Sequence, residues 1–172
     1  MVAVTTALAY LGKYADKAID EANKGIKAYE LIARSTAEHL HAQMQTIAQG
    51  IWANYMNIGA CYPITRFPEY LENKLSKVAS LDEANSIYNS VVDEQMSFSN
   101  ELYPARYLVY EFRKLEAKVE AICSTYHDTS SLPIIDKSYV ERIEQLTNKL
   151  PVDGEMYNVF QAVECRLRSQ HE

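Results

Sequence analysis

Apolar residues recur every three or four positions over the first third of the chain, and this regularity constrains the fold more than any other feature. The apolar positions advance in 14 steps that cover 50 residues, an average of 3.57 residues a step. They are Leu8, Leu11, Ala15, Ala18, Ala22, Ile26, Tyr29, Ala33, Ala37, Leu40, Met44, Ile47, Ile51, Tyr55 and Ile58. The average lies between the about 3.5 of a coiled-coil seam and the about 3.6 of a straight helix, so a long amphipathic helix is predicted.

The length of this helix raises the question of whether it is continuous. Pro63 cannot continue it. Unbroken from Thr6 to Ile58 it would be roughly 80 Å long, whereas a compact domain of this chain length has a radius of gyration of about 16 Å. The helix therefore projects or breaks, and Ser35 and Glu38 have the spacing of a capping box. The apolar stripe keeps its phase through Ser35, which favours continuity, with one break near Ser35 as the alternative.

Residues 61–172 also show helical periodicity between turns, and no strand pattern. The predicted boundaries are a short helix over Glu69–Ala79, a helix capped by Ser80, another starting at Pro104, one capped by Asp136 that ends near Leu150, and one capped by Asp153. The expected fold class is all-α, with five or six helices. A long, possibly once-broken helix over residues 1–60 would pack with a smaller helical bundle over residues 61–172.

The apolar face of the first helix is made largely of alanine, at Ala15, Ala18, Ala22, Ala33 and Ala37. Alanine lets helix backbones approach closely but buries little area, at about 25 cal/mol per Å². A long helix with such a face therefore needs partners along much of its length. Helices of the same chain are one candidate, and neighbouring subunits of an assembly are the other.

Tyrosine is the second feature that suggests an interface, with 13 Tyr against 4 Phe and 1 Trp. Tyrosine is enriched where one ring edge is buried and the hydroxyl reaches water or a partner. Tyr103, Tyr107 and Tyr110 have the spacing i, i+4, i+7, so they fall on one side of a helix. They form either part of an interface or a boundary of the core within one domain.

Two residue pairs have spacings that suit chemistry, and neither is complete. Glu38 and His41 are at i, i+3, the carboxylate–histidine spacing of metal sites in helical bundles, but the chain has no second E-x-x-H motif. Cys123 and His127 are at i, i+4, which suits a thiolate–imidazole pair or half a zinc site, but the remaining parts of such sites are missing. Phosphate-binding glycine motifs are also missing. A solvated Glu38–His41 pair and a buried structural thiol at Cys123 are the ordinary interpretations, and no cofactor is expected.

Charge and hydropathy argue against other classes of partner. The net charge is −6 and no segment is basic, which disfavours nucleic acid. No apolar run approaches the about 18 residues of a membrane span, and the first helix lacks the bulky anchors and basic excess of a membrane-surface helix. The N-terminal residues lack the basic region of a signal peptide, and three widely spaced cysteines suggest a reducing compartment. We expect a location in the cytoplasm or within a viral particle.

These observations predict a non-enzymatic structural or assembly subunit that acts through helix-mediated contacts between proteins. The expected partners are copies of the chain or a larger hetero-assembly, and a viral or phage particle is one setting for such a subunit. Two alternatives stay open. One is a small soluble helical adaptor or regulatory protein, and the other is an enzyme or metal-binding bundle that uses the pairs described above.

Overall fold

The described part of the chain folds into α-helices. A computed structural model describes the backbone of residues 2–58, 62–126 and 132–169, and the side chains of residues 16–58, 62–125 and 132–169. Within these ranges there are five helices and no strand, so the all-α prediction is confirmed. The helices are α1 (Val2–Asn57), α2 (Phe67–Leu75), α3 (Leu81–Tyr126), α4 (Ser138–Thr147) and α5 (Glu155–Ser169).

α1 runs without interruption through Ser35, so the preference for a continuous first helix is confirmed. The Thr36 hydroxyl donates a hydrogen bond to the carbonyl oxygen of Ile32, one turn earlier, at 2.8 Å. The Glu38 carboxylate accepts a hydrogen bond from Arg34 Nε at 3.1 Å. Polar side chains around Ser35 thus bond along the helix, and the capping-box spacing does not end it.

α3 is one helix where the sequence predicts two, because Pro104 lies inside it. The predicted helix start at Pro104 is therefore wrong. An internal proline removes one backbone hydrogen bond and costs about 3 kcal/mol. Leu102 and Ala105, on either side, are fully buried. The apolar stripe keeps its phase across the proline, so packing on both sides outweighs this local cost.

One predicted helix cap, at Ser80, is formed by its side chain, and Asp136 forms a hydrogen bond from one residue before the N-cap of its helix, Lys137. The Ser80 hydroxyl oxygen accepts a hydrogen bond from the Glu83 N–H at 3.3 Å, at the start of α3. The Asp136 carboxylate accepts one from the Ser138 N–H at 2.9 Å, at the start of α4. α2 ends four residues and α4 three residues before the predicted ends. The caps therefore follow the sequence more closely than the helix C-termini do.

The chain forms two compact units. The first comprises residues 1–44 and 114–134, and the second comprises residues 45–113 and 135–172. α1 and α3 each contribute to both units, so the units do not follow helix boundaries. The predicted division at residue 60 separates the first helix from the rest of the chain, and it stays a prediction.

The second unit has the larger apolar core. The largest of its almost completely buried side chains are Phe67, Phe98, Phe112, Ile51, Leu71, Leu75, Leu102, Val91, Val140 and Ile143. The rings of Phe67 and Phe98 lie 5.6 Å apart between centroids, and α2 packs against α5. A Cβ at Gly50 would lie 3.2 Å from Leu108 Cδ1, so the absence of a side chain there leaves room for the Leu108 side chain.

The first unit has a core of smaller or more polar side chains. Its buried residues, among those described, are Ala37, His41, Met44, Leu115, Val119 and Cys123. From Asp16 to Thr36, no α1 side chain is buried. Among the described residues of this unit, α1 therefore contributes buried side chains to the core only from Ala37 onward.

Candidate functional site

The alanine-lined side of α1 is exposed over most of its described length. Ala18 and Ala22 are exposed and Ala33 is half-buried, while Ala37 is 4% exposed. The side chain of Ala15 lies outside the described residues. Exposure of the alanines predicted as a contact surface therefore changes at about Ala33. Those before it whose side chains are described are left exposed by the described fold.

Larger apolar side chains share this side of the helix, and we call the set the exposed α1 face. It consists of Ala18, Ile19, Ala22, Ile26, Tyr29 and Ala33, which fall within about 100° of the helical circumference. Ile19, Ile26 and Tyr29 are 57%, 55% and 68% exposed. Single exposed apolar residues are common, but a contiguous set of them is typical of an interaction surface. Sequence analysis missed Ile19, although its spacing of seven from Ile26 signals a shared side of the helix.

The charges beside the exposed α1 face are arranged by sign along the helix. Residues 16–23 contain three acidic residues and one lysine, a net charge of −2, and residues 24–34 contain three basic residues and one glutamate, a net charge of +2. Asp16, Asp20, Lys24 and Lys27 make no ion pair within the part of the chain that the structure describes. This part of α1 is therefore electrically neutral overall but acidic at one end and basic at the other.

The three predicted interface tyrosines lie on α3 in the second unit. Tyr103, Tyr107 and Tyr110 are all well exposed, so the described fold does not bury these rings. They make a second surface with the composition of an interface. Whether a partner covers them stays a prediction.

The Glu38–His41 pair does not meet around a common point. Glu38 is exposed and pairs with Arg34, whereas His41 is buried and its Nε2 lies 2.7 Å from the carbonyl oxygen of Pro133. A carbonyl oxygen only accepts, so His41 Nε2 carries the hydrogen and donates it. No group of three potential metal-binding side chains occurs among the described residues. In this arrangement His41 serves to hold the segment around Pro133 against α1.

Of the Cys123–His127 pair only Cys123 can be placed, because His127 lies outside the described residues. The Cys123 thiol is buried in the first unit, at one wall of a groove of about 420 Å³. The groove is lined by Lys27, Glu30, Leu31, Arg34, Ala37, Ile122 and Cys123. Three of these residues are aliphatic and three are charged, and a nucleophilic role for the thiol stays a hypothesis.

A polar cleft of about 630 Å³ lies in the second unit. It is lined by Arg66, Gln95, Ser99, Arg106, Thr147, Asn148, Leu150, Pro151 and Val152. Arg66 forms two parallel hydrogen bonds to the Glu155 carboxylate, at 3.0 and 2.8 Å, and a third to the Asn148 carbonyl oxygen at 3.2 Å. Arg66 is thus paired with Glu155 in a structural contact. Arg106, the other arginine of the cleft, makes no ion pair among the described residues.

The surroundings of Glu155 favour its ionised form. The hydrogen bonds from Arg66 lower the pKa of the Glu155 carboxyl, and the Val152 N–H, 3.0 Å away, lowers it further. Reciprocally, the hydrogen bond to Glu155 raises the pKa of the Arg66 guanidinium. Such a bidentate pair fixes orientation as well as charge. It joins the segment before α2 to the start of α5, and its geometry indicates a structural role.

Comparison with known proteins gives no functional guidance. No family model, no curated protein and no solved structure matches this chain. Among the described residues, no helix combines the length and apolar character needed to cross a membrane. The exposed α1 face is therefore the candidate site with the most support in this chain's own residues.

Proposed function

We propose that this protein is a non-enzymatic structural or assembly subunit that acts through helix-mediated contacts between proteins. The observation that carries this proposal is the exposed α1 face, where three large apolar side chains lie beside alanines on a helix with no buried side chain between Asp16 and Thr36. A viral or phage particle is one assembly in which such a subunit would act, and this setting is a hypothesis.

The energetics of an isolated helix support the proposal. Helices gain most of their stability in proteins from the packing of an apolar face rather than from intrinsic propensity. In the described fold no side chain of residues 16–36 of α1 is buried. Ile19 and Ile26 are 57% and 55% exposed, so covering one of them contributes on the order of 1–2 kcal/mol, a factor of about five to thirty in an association constant. A protein partner on this face would therefore stabilise both the helix and the assembly.

Native mass spectrometry of the full chain over a range of concentrations tests this proposal. We expect species larger than the monomer, and we expect Ile26→Lys to weaken their formation about tenfold or more, because it places a charge in the apolar contact. Ile134→Lys is the matched control, since Ile134 is 99% exposed and lies away from the face in the sequence. It should leave association unchanged.

Two results would count against the proposal. A monomer at every concentration whose residues 1–58 also resist proteolysis favours the alternative of a compact adaptor or regulatory protein. Equal effects of Ile26→Lys and Ile134→Lys would mean that association does not involve the exposed α1 face.

A further inference from the structure

We propose that the polar cleft of the second unit binds a small organic acid whose carboxylate pairs with Arg106. The volume of the cleft, about 630 Å³, lies within the range of about 300–1,000 Å³ that is usual for small-molecule sites. The residues that line it all belong to the second unit. This inference concerns a different surface from the exposed α1 face and does not depend on the proposed function.

One wall of the cleft is formed by three polar side chains of α3. Gln95, Ser99 and Arg106 lie within about 40° of one another around this helix. Leu102, which is close to them on the helix surface, is fully buried, so this flank of α3 borders the apolar core. Gln95 and Ser99 are half-buried, and Arg106 is exposed.

The fold leaves the hydrogen-bonding capacity of these three side chains unused. In the described part of the chain, the side chains of Gln95 and Ser99 make no hydrogen bond and Arg106 makes no ion pair. Polar groups that are partly withdrawn from water usually have a hydrogen-bond partner. A ligand with both donors and acceptors would supply one to each of them.

The segment that joins α4 to α5 forms another wall, and hydrogen bonds hold it in place. The Leu150 N–H donates to the Thr147 carbonyl oxygen at 3.1 Å, and the Val152 N–H donates to the Glu155 carboxylate at 3.0 Å. Pro151, between them, has no N–H. This wall therefore contributes apolar side chains from residues 150–152, while hydrogen-bond donors for an anion come from α3.

The charges of the cleft select a ligand with a single negative charge. Its described lining residues include two arginines and no acidic residue. Arg66 is paired with Glu155 through two hydrogen bonds, so Arg106 provides the one positive charge without a counter-ion. A carboxylate carries one charge and accepts two parallel hydrogen bonds from a guanidinium. A phosphate monoester carries a charge of about −1.5 to −2 at neutral pH, which this cleft would leave partly uncompensated.

The spacing of the side chains along α3 indicates the size of the ligand. Ser99 and Gln95 lie about 10 Å and about 16 Å from Arg106 along the helix axis. An acid with a body up to about 10 Å long would reach Ser99 while its carboxylate contacts Arg106. An amide in the body would bond to the polar α3 side chains, and an apolar group would contact residues 150–152. N-acylated amino acids combine these three features.

Nuclear magnetic resonance titration of the isotope-labelled full chain tests this inference. The ligands are N-benzoylglycine and N-acetylleucine, and the primary amide of each acid is its uncharged counterpart. We expect the acids to shift the signals of residues 147–152 and of the Gln95 side-chain amide until saturation. The dissociation constant should be on the order of 1 mM, which suits ligands of about a dozen non-hydrogen atoms. The amides should bind at least about threefold more weakly, because they lose the charge-assisted contact.

Arg106→Gln should remove the preference for acid over amide. Lys77→Gln is the matched control, because Lys77 is an exposed residue of the second unit outside the cleft and the same charge is lost. It should leave the dissociation constant of each acid within about twofold of the wild-type value. Both substitutions are at exposed positions, and the spectra without ligand verify that the fold is retained.

Three results would overturn the inference. Equal binding of each acid and its amide would mean that the carboxylate is not recognised. Equal effects of Arg106→Gln and Lys77→Gln would mean that net charge, and not the cleft, controls binding. Tighter binding of inorganic phosphate than of either acid would show that a carboxylate is the wrong ligand class.

Discussion

At the scale of single residues, the contact between Arg66 and Glu155 is the polar interaction with the clearest consequence for stability. The two side chains are 89 positions apart and meet through a pair of hydrogen bonds at 3.0 and 2.8 Å. Because the contact lowers the pKa of Glu155 from its ordinary value of 4.5, the folded protein holds the carboxylate ionised at lower pH than the unfolded chain does. The contribution to folding is therefore present above pH 4.5 and disappears as the pH falls through the lowered value.

This sign leads to a test with Glu155→Gln. At neutral pH we expect the variant to melt at a lower temperature than the wild type, and we expect the difference between their melting temperatures to shrink as the pH falls below 4.5. Thermal unfolding from pH 7 to pH 3 measures it. Asp93→Asn removes an exposed carboxyl as the control, and its difference from the wild type should stay small throughout. A Glu155→Gln difference that is constant with pH contradicts the role given to ionisation.

The residue scale also marks where sequence analysis succeeds. The cap at Ser80 and the local hydrogen bond at Asp136 were predictable because donor and acceptor lie within three residues of each other. The partners of Arg66 and His41 lie about 90 positions away, at Glu155 and Pro133, and no local pattern marks them. A metal site at Glu38 and His41 would need further ligands from other helices. The spacing of residues within one helix does not show which side chains those helices bring close.

At the scale of helices, α1 changes from exposed to packed along its length. Its apolar period is constant from Leu8 to Ile58, yet no side chain is buried between Asp16 and Thr36, and burial begins at Ala37. The period therefore predicted the helix and its continuity, while the amount of packing on each part depends on which elements lie beside it. In α3 the local pattern failed instead. Pro104 predicted the start of a helix, but the packing of the residues on both sides keeps α3 continuous.

From Ala37 onward only one side of α1 is buried, which predicts different costs for the same substitution on its two sides. Met44 is buried and Met56 is 62% exposed. Met44→Ala removes buried methylene groups and leaves a cavity, so we expect a loss of about 2–5 kcal/mol in the free energy of unfolding. Met56→Ala should cost less than about 0.5 kcal/mol. Chemical denaturation measures both, and equal costs would mean that α1 is packed in a different way.

At the scale of the whole molecule, the net charge of residues 16–34, which carry the exposed α1 face, differs from the net charge of the rest of the chain. Residues 16–34 carry four acidic and four basic residues, so the net charge of −6 comes entirely from the rest of the sequence. At physiological ionic strength the Debye length is about 8 Å, which weakens repulsion between distant charges more than contacts at close range. Two copies can therefore associate through a locally neutral face despite their overall negative charge.

Hydrogen exchange provides a test at this scale, because the full chain contains its own reference. Segments with few buried contacts open at low free energy, whereas core helices exchange only on extensive unfolding. In dilute protein we expect fast exchange at residues 16–34 and slow exchange at residues 98–112, where α3 passes through the apolar core of the second unit. Raising the concentration into the range where the chain associates should slow exchange only in the first segment, and Ile26→Lys should remove that dependence. Slow exchange at residues 16–34 that is independent of concentration would instead mean that the face is covered within a single chain.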